Sequence, residues 1–248
     1  MFVDCHAHLD MLKEKELEKV ISNARKKKVG KIISCSTSFN SNEQNLEISK
    51  KFEEVELGIG LYPSDVMELN EEEIEKAFVS FEIMMKEAIA IGEVGLDYKY
   101  AKRKIDQEKQ KEVFGRFVKL AKKNNKPLII HSRFAQKQVI EILEEMETQK
   151  VLLHSFTDSL KLMKRAIENK WFVGIGLIFL KDELVQERIR EIPLENILLE
   201  TDSPIRFDRN KAFSEDVVRI AEKIAESKKI PLAQVEKQLE KNYEELFL

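Results

Sequence analysis

Each of the four histidines of this chain ends a short apolar run. They are His6, His8, His131 and His154, and the runs read Phe-Val-Asp-Cys-His-Ala-His, Pro-Leu-Ile-Ile-His and Val-Leu-Leu-His. Two further apolar runs end in acids, at Glu93 and Asp202. Apolar runs of this length are typical of β-strands, so several strand ends would deliver these side chains. Imidazole and carboxylate groups are typical ligands of divalent metal ions, and the sequence therefore predicts a metal site.

His6 and His8 form a His-Ala-His pair on the first predicted strand. Residues i and i+2 of a strand project to the same face, so both imidazoles can bind one ion. Asp4 lies on that face one step deeper, where it is expected to accept a hydrogen bond from a ligand imidazole. Taken alone, the pair can also be two polar residues at a strand end.

Glu93 is a carboxylate at the end of a buried strand, which is costly unless the charge is paired or bound to metal. Its two oxygens can bridge two cations, although a salt bridge to a lysine is the simpler interpretation of this residue alone. His131 and His154 end successive strands and can hold a second ion. Asp97 is expected to brace the loop that follows.

Asp202 lies in the run Leu-Leu-Glu-Thr-Asp-Ser-Pro. We expect it to contact a metal and to take a proton from a metal-bound water. Glu200 shares its face one step deeper and is given a supporting role, the orientation of neighbouring groups.

Strand-like apolar runs alternate with amphipathic helical segments along the whole chain. The strands are predicted at Phe2–His8, Lys31–Thr37, Val55–Tyr62, Ala88–Asp97, Pro127–Ser132, Val151–Phe156, Trp171–Gly176 and Ile197–Asp202. Their continuous apolar character is typical of parallel strands covered on both faces. Eight such units predict an α/β fold, a closed TIM (β/α)8 barrel, with a further C-terminal helix at Pro231–Leu248.

An open doubly wound sheet is the competing architecture. It is disfavoured because it gathers ligands at one switch point, whereas these candidates come from strands one, four, five, six and eight. No linker, low-complexity tract or repeat marks a second domain, so residues 1–248 are predicted to form a single domain.

Composition narrows the function classes. The chain has 248 residues, 43% of them hydrophobic, and a net charge of −3, which argues against a generally basic nucleic-acid binder. No window is apolar enough to cross a membrane, and the metal-like residues begin too early for a cleaved signal peptide. Cys5 and Cys35 lie within apolar runs and are expected to be buried free thiols, which fits a cytoplasmic protein.

Five motifs together resemble the TatD family of metal-dependent deoxyribonucleases. They are Asp4-Cys5-His6-Ala7-His8-Leu9-Asp10, Gly92-Glu93-Val94-Gly95-Leu96-Asp97-Tyr98, His131-Ser132-Arg133, His154-Ser155-Phe156-Thr157 and Glu200-Thr201-Asp202-Ser203-Pro204. The resemblance implies an amidohydrolase-type barrel that holds two divalent ions. One ion would be bound by His6, His8 and Asp202 and the other by His131 and His154, with Glu93 as the bridge.

The family activity is the hydrolysis of DNA phosphodiester bonds, often from the end of a DNA strand. The resemblance therefore implies a nuclease with DNA or an oligonucleotide as its partner and Asp202 and Glu93 as catalytic residues. Zinc, manganese or magnesium would be the cofactor, and the four imidazoles favour a transition metal.

The chain departs from the family at three motifs. Tyr62 replaces the family histidine in Gly60-Leu61-Tyr62-Pro63, Asp158 replaces a glycine, and the family's Arg-Asn-Glu-Pro stretch is represented only by Arg209-Asn210. Tyr62 is expected to bind a phosphate or a base, but it cannot act as an imidazole acid. Arg133 is the second expected substrate contact, because a guanidinium can grip two phosphoryl oxygens.

Two basic loops are further candidates for contacts to a single strand. They are Tyr98-Lys99-Tyr100 with Lys102-Arg103-Lys104, and Arg206-Phe207 with Arg209 and Lys211. Ordinary solvated loops are the other interpretation. The rival to the nuclease is a hydrolase of the same barrel type that acts on a small amide, lactone or phosphoester. A metal-bound scaffold without catalysis is the third possibility.

Overall fold

The computed structural model describes residues 1–157, 159–207 and 210–248. In this part of the chain eight parallel strands follow one another in the order β1 to β8, and each pairs with its neighbour in sequence. The strands are β1 Phe2–Ala7, β2 Val29–Cys35, β3 Val55–Ile59, β4 Ala88–Asp97, β5 Leu128–Arg133, β6 Val151–Leu153, β7 Phe172–Ile175 and β8 Ile197–Leu199. A short antiparallel pair follows, β9 Arg206–Phe207 and β10 Asn210–Lys211.

Helices cover the outside of the sheet. They are α1 Glu14–Lys26, α2 Phe39–Lys51, α3 Pro63–Glu68, α4 Glu71–Met84, α5 Lys104–Asn124, α6 Gln136–Glu145, α7 Leu160–Glu168, α8 Glu183–Arg190, α9 Val217–Lys228 and α10 Leu232–Phe247. On α5, Val113, Phe114, Phe117, Val118 and Ala121 are buried, as the helical spacing of these apolar residues requires.

The last and first strands meet and nearly close the barrel. The Asp202 amide donates to the carbonyl of His6 at 2.9 Å, and the His8 amide donates to that of Ser203 at 2.6 Å. Ala7 and Ser203 form a parallel bridge. The predicted α/β barrel is confirmed, and the open sheet is excluded.

Six of the eight strands end earlier than predicted at the end that carries the ligands, whereas β4 ends at Asp97 as predicted and β5 continues one residue further, to Arg133. β3 ends at Ile59, three residues before Tyr62, and β6 ends at Leu153, just before His154. β8 ends at Leu199, so Asp202 stands in the loop beyond it. His8, His154 and Asp202 therefore lie just beyond their strands, whereas His6, Glu93 and His131 lie within theirs. The apolar pattern does not mark the residue at which a strand ends, because the polar side chains at the barrel mouth belong to both kinds of position.

The C-terminal helix is present, as predicted, and is anchored by polar contacts. Asn242 donates to the carbonyls of Leu194 and Ile197 at 2.8 and 2.7 Å, and the Tyr243 hydroxyl donates to Glu56 at 2.7 Å. No helix in the described part of the chain is long and apolar enough to cross a membrane. The single domain over residues 1–248 stays a prediction.

Candidate metal centre

Six side chains from five strand ends meet at one end of the barrel. His6 is contributed by β1, Glu93 by β4 and His131 by β5, while His8, His154 and Asp202 follow directly or closely after β1, β6 and β8. His6, His8, Glu93 and His154 are buried, and His131 and Asp202 are partly buried. All six candidate ligands therefore lie together, although they are separated by up to 196 positions in the numbering of the chain.

The first group of ligand atoms surrounds one point. His6 Nε2 and His8 Nε2 are 3.1 Å apart, and Asp202 Oδ1 lies 3.5 and 3.1 Å from them. Glu93 Oε2 lies 3.6 and 3.5 Å from the same two nitrogens. An ion with four tetrahedral bonds of about 2.0–2.1 Å separates its ligand atoms by about 3.3 Å. These contacts are therefore spaced as the ligands of a single small cation.

The second group uses the other oxygen of Glu93. Its Oε1 lies 2.6 Å from His131 Nδ1 and 4.0 Å from His154 Nε2. Asp202 Oδ2 is 3.9 Å from the same His154 nitrogen. Glu93 and Asp202 thus each turn one oxygen to His6 and His8 and the other to His154.

The buried carboxylates of the cluster favour positive charge beside them. Burial opposes the ionisation of Glu93, but His131 and His6 hold its pKa well below the usual range. Burial also opposes the protonation of His131, and the charges of Glu93 and Asp97 outweigh it and raise its pKa to about 9. His6 Nε2 and His8 Nε2 face each other at 3.1 Å, so either a proton is shared between the two nitrogens or both lone pairs are directed at a cation. A divalent cation satisfies both carboxylates and both imidazoles, so the residues fit a metal.

Three of the imidazoles have a contact at the ring nitrogen that faces away from the centre of the cluster. His8 Nδ1 donates to the Cys35 carbonyl at 2.9 Å, and His131 Nε2 lies 3.2 Å from Asp97 Oδ2. His154 Nδ1 is 3.1 Å from Glu200 Oε2, although this contact lacks hydrogen-bond alignment. These contacts set the orientation of each ring and leave the opposite nitrogen to face the centre.

The two acids that lie deeper in the barrel, Glu200 and Asp4, have different partners. Glu200 accepts from the Ser155 amide at 2.7 Å and lies against His154, in agreement with an orienting role. Asp4 was expected to accept from an imidazole, but its carboxylate instead accepts from the Thr201 amide at 2.9 Å and hydroxyl at 2.6 Å. The loop after β8 passes beside Asp4 and brings two donors closer than any ring, so Asp4 fixes the segment that carries Asp202.

Tyr62 points behind His131. Its hydroxyl donates to Asp97 Oδ2 at 2.9 Å and lies 3.1 Å from His131 Nε2. Burial, with the charges of Glu93 and Asp97, raises its pKa above the ordinary value for tyrosine. Its hydroxyl is therefore used to position Asp97 and His131, and its contact with substrate stays a prediction. Asp97 also accepts from the Lys99 amide at 2.8 Å, which is the expected loop brace.

Two glycines allow the close backbone approaches that place Glu93 and His131. Gly95 has φ +144°, and a Cβ there would lie 2.0 Å from the His131 carbonyl oxygen. A Cβ on Gly60 would lie 2.6 Å from the Glu93 carbonyl oxygen. Side chains at either position would push apart the strands that carry the candidate ligands.

Arg133 is exposed and lines the cleft over the cluster, and no partner is found for its guanidinium among the described residues. Two cations of the basic loops are less available than Arg133 for contacts to a substrate, because acidic side chains already pair with them. Arg103 pairs with Asp106 at 2.6 Å and Lys211 with Glu16 at 2.7 Å. Arg209, Asp158 and the side chains of Arg206, Phe207 and Asn210 lie outside the described residues.

Sequence reasoning did not find all the groups that hold the cluster. The Cys35 carbonyl leaves no mark in the sequence, because every residue has one. The role of Thr201 depends on how the loop after β8 folds. Asp97 was noted as a brace, and its contact with His131 requires the register in which Gly95 pairs with His131.

A family model described as TatD related DNase matches residues 3–248. The chain belongs to the TatD family. It is a metal-dependent hydrolase of that family, and the histidine–carboxylate groups described above could hold the metal.

Similar proteins support this assignment. The uncharacterized metal-dependent hydrolase YabD of Bacillus subtilis is 31% identical over 100% of this TatD chain and 99% of its own length. The human deoxyribonuclease TATDN3 is 29% identical over 94% of this chain and 89% of its own. The crystal structure of YjjV, a TatD homologue of Escherichia coli, superposes with a TM-score of 0.85 and 23% identity. It covers 99% of this chain and 97% of that one, and it supports the barrel fold.

Proposed function

We propose that this TatD protein is a deoxyribonuclease that hydrolyses DNA phosphodiester bonds with two divalent ions as cofactors. It would act from the end of a DNA strand. The observation that carries the proposal is the division of Glu93 between two groups of imidazoles. Its Oε2 faces His6 and His8, and its Oε1 faces His131 and His154. A deoxyribonuclease name among the relatives supports DNA as the substrate.

The metal ligands in this proposal are His6, His8, Glu93, His131, His154 and Asp202. Divalent ions bound there would lower the pKa of a water molecule and offset charge on phosphoryl oxygens. Zinc or manganese suits the four imidazoles, and magnesium is the alternative.

Asp202 is the proposed proton acceptor. Its side chain is 29% exposed, whereas that of Glu93 is 3% exposed, so of these two carboxylates a substrate reaches Asp202 more readily. His6 and His8 lie against Asp202, and these contacts outweigh its burial and hold its pKa well below the usual range. Asp202 is thus ionised when the attacking water loses its proton.

Arg133 is the proposed phosphate contact. It is an exposed cation beside His131 at the cleft wall, and no ion-pair partner is found for it in the described chain. A guanidinium can donate two parallel hydrogen bonds to phosphoryl oxygens and offset the charge that develops on them. Tyr62 would line the same site through its ring.

Asp202→Asn tests the mechanism. It keeps the shape of the side chain but removes the proton acceptor and the charge of a proposed metal ligand, so hydrolysis of single-stranded DNA should be abolished while the circular dichroism spectrum is kept. Glu226→Gln is the matched control, because Glu226 pairs with Lys223 on α9 and lies outside the cleft. Undiminished hydrolysis by Asp202→Asn would remove Asp202 as the base.

A panel of chromogenic phosphodiesters, esters and lactones separates the nuclease from the rival hydrolase. Faster turnover of esters or lactones than of phosphodiesters would favour the rival. Metal-dependent turnover of any of them would exclude a non-catalytic scaffold.

We also propose that the protein is cytoplasmic and that residues 1–248 form one domain. The location is supported by Cys5 and Cys35, which are both buried free thiols. Unpaired cysteines of this kind are typical of reducing compartments.

A further inference from the structure

The cleft over the metal cluster has two lobes. The smaller has a volume of about 330 Å3 and the larger of about 610 Å3. Their shared wall consists of His131, Arg133, His154, Asp202 and Ile205. A phosphodiester bound at this wall therefore has one lobe for each of its two substituents.

The two lobes differ in charge. The smaller is lined by Asp65 and Glu93 in addition to the shared Asp202. In the larger lobe, the shared Asp202 is the one acid among the described lining residues. With metal bound, Glu93 and Asp202 are neutralised, and Asp65 is the acid of the smaller lobe that is not a candidate ligand. Its charge disfavours an anionic strand there and favours the larger lobe.

The larger lobe carries three exposed apolar side chains, which we call the apolar rim. Phe134, Ile178 and Ile205 are 70%, 42% and 45% exposed. Single exposed apolar residues are normal on protein surfaces, but three around one cavity are typical of a binding site. The rim adjoins the candidate ligands directly, because Ile205 lies three residues after Asp202.

Phe134 is held in an unusual backbone conformation. Its φ is +55°, in the left-handed region that bulky residues avoid. A large apolar side chain that is mostly in solvent offsets none of this cost by burial. A conformation of this kind beside a candidate active site points to a function for the residue. Phe134 also follows Arg133 directly, and both residues line the larger lobe.

We propose that the apolar rim is a nucleobase subsite and that Phe134 stacks on the base next to the phosphate held at Arg133. This inference rests on the proposed nuclease function and adds the group that selects a nucleotide over a simple phosphodiester. Every base has an aromatic face, so a stacking subsite accepts any sequence. It requires a base that is free of its own neighbours, which occurs in single strands and at frayed ends.

A dinucleotide tests the subsite because it has one phosphodiester and two bases. The measurement is the inhibition constant of dTpdT, and of its two analogues that each lack one base, against hydrolysis of bis(4-nitrophenyl) phosphate. Wild type, Phe134→Ala and the control Ile83→Ala are compared. Ile83 is 74% exposed on α4 and does not line the cleft, so it matches Phe134 in exposure.

The wild-type protein should bind dTpdT roughly tenfold more tightly than one of the two abasic analogues. Phe134→Ala should lose most of this preference, whereas Ile83→Ala keeps it. Phe134→Trp should retain the preference and Phe134→Leu should lose it, because leucine offers apolar area without an aromatic face. Melting temperatures near that of the wild type show that each variant is folded.

Three outcomes would overturn the subsite. They are an equal preference in wild type and Phe134→Ala, no preference in the wild type, and full retention by Phe134→Leu, which would show that apolar contact with the base suffices and that no aromatic stacking is involved. Each leaves the nuclease proposal standing. If the wild type hydrolyses no phosphodiester with zinc, manganese or magnesium, the proposed function fails, and the subsite fails with it.

Discussion

Asp97 Oδ2 lies 3.2 Å from His131 Nε2, on the side of the ring opposite Glu93. If the Nε2 proton is donated to this carboxylate, Nδ1 is left with its lone pair facing Glu93 Oε1 at 2.6 Å. The Tyr62 hydroxyl also donates to Asp97 Oδ2, at 2.9 Å, and holds it in place. One buried carboxylate thus determines which nitrogen of His131 is available at the cluster.

Asp97→Asn should weaken the second ion more than the first. An amide is a poorer acceptor for the imidazole proton, and loss of such a partner typically costs about 10- to 100-fold in metal affinity. The measurement is metal titration by isothermal calorimetry. Tyr62→Phe is the matched milder variant, because it removes one donor to Asp97 and keeps the carboxylate. If both variants bind two ions with wild-type affinity, Asp97 has no role in holding His131.

Removal of metal should destabilise the protein. Without cations, four imidazoles and two carboxylates lie within a few ångströms of one another in a mostly buried site. A ligand present at 100 times its Kd stabilises the folded state by about 2.7 kcal/mol. Treatment with a chelator should therefore lower the melting temperature, and zinc or manganese should restore it. Equal melting temperatures with and without chelator would indicate that no metal is bound.

Gly95→Ala should be strongly destabilising. The new Cβ would lie 2.0 Å from the His131 carbonyl oxygen, at a φ of +144° that alanine avoids. Strain and displacement together should cost about 3 kcal/mol or more in the free energy of unfolding, measured with a denaturant. Gly115→Ala on α5 is the control. Its nearest contact would be Met146 Sδ at 4.0 Å, and alanine in a helix is better by about 0.5–1 kcal/mol. A small loss at Gly95 would contradict the close approach of β4 and β5.

The barrel could be predicted because it depends on burial pattern. Strands such as Val151–Leu153 are apolar at every position. A continuously apolar run is typical of a parallel strand that is buried on both faces. The candidate ligands were predictable for a related reason, since an imidazole or carboxylate at the end of an apolar run is conspicuous. Their convergence then followed from closure of the sheet.

The contacts behind the ligands could not be predicted in the same way. Asp4 shares a face with His6, and this pattern favoured an imidazole partner, but strand spacing does not show that the loop after β8 places Thr201 closer. The Cys35 carbonyl that holds His8 depends on the register of β1 and β2. Tyr62 was expected at the substrate because its type suits a phosphate or base, whereas its hydroxyl is used inward at Asp97. Such contacts depend on the exact positions of strands and loops, and these positions cannot be read from residue types.

Anomalous diffraction from crystals grown with zinc or manganese tests the central claim most directly. The account predicts two peaks, one among His6, His8 and Asp202 and the other between His131 and His154, with Glu93 between the two. A single peak, or peaks away from these side chains, would contradict it.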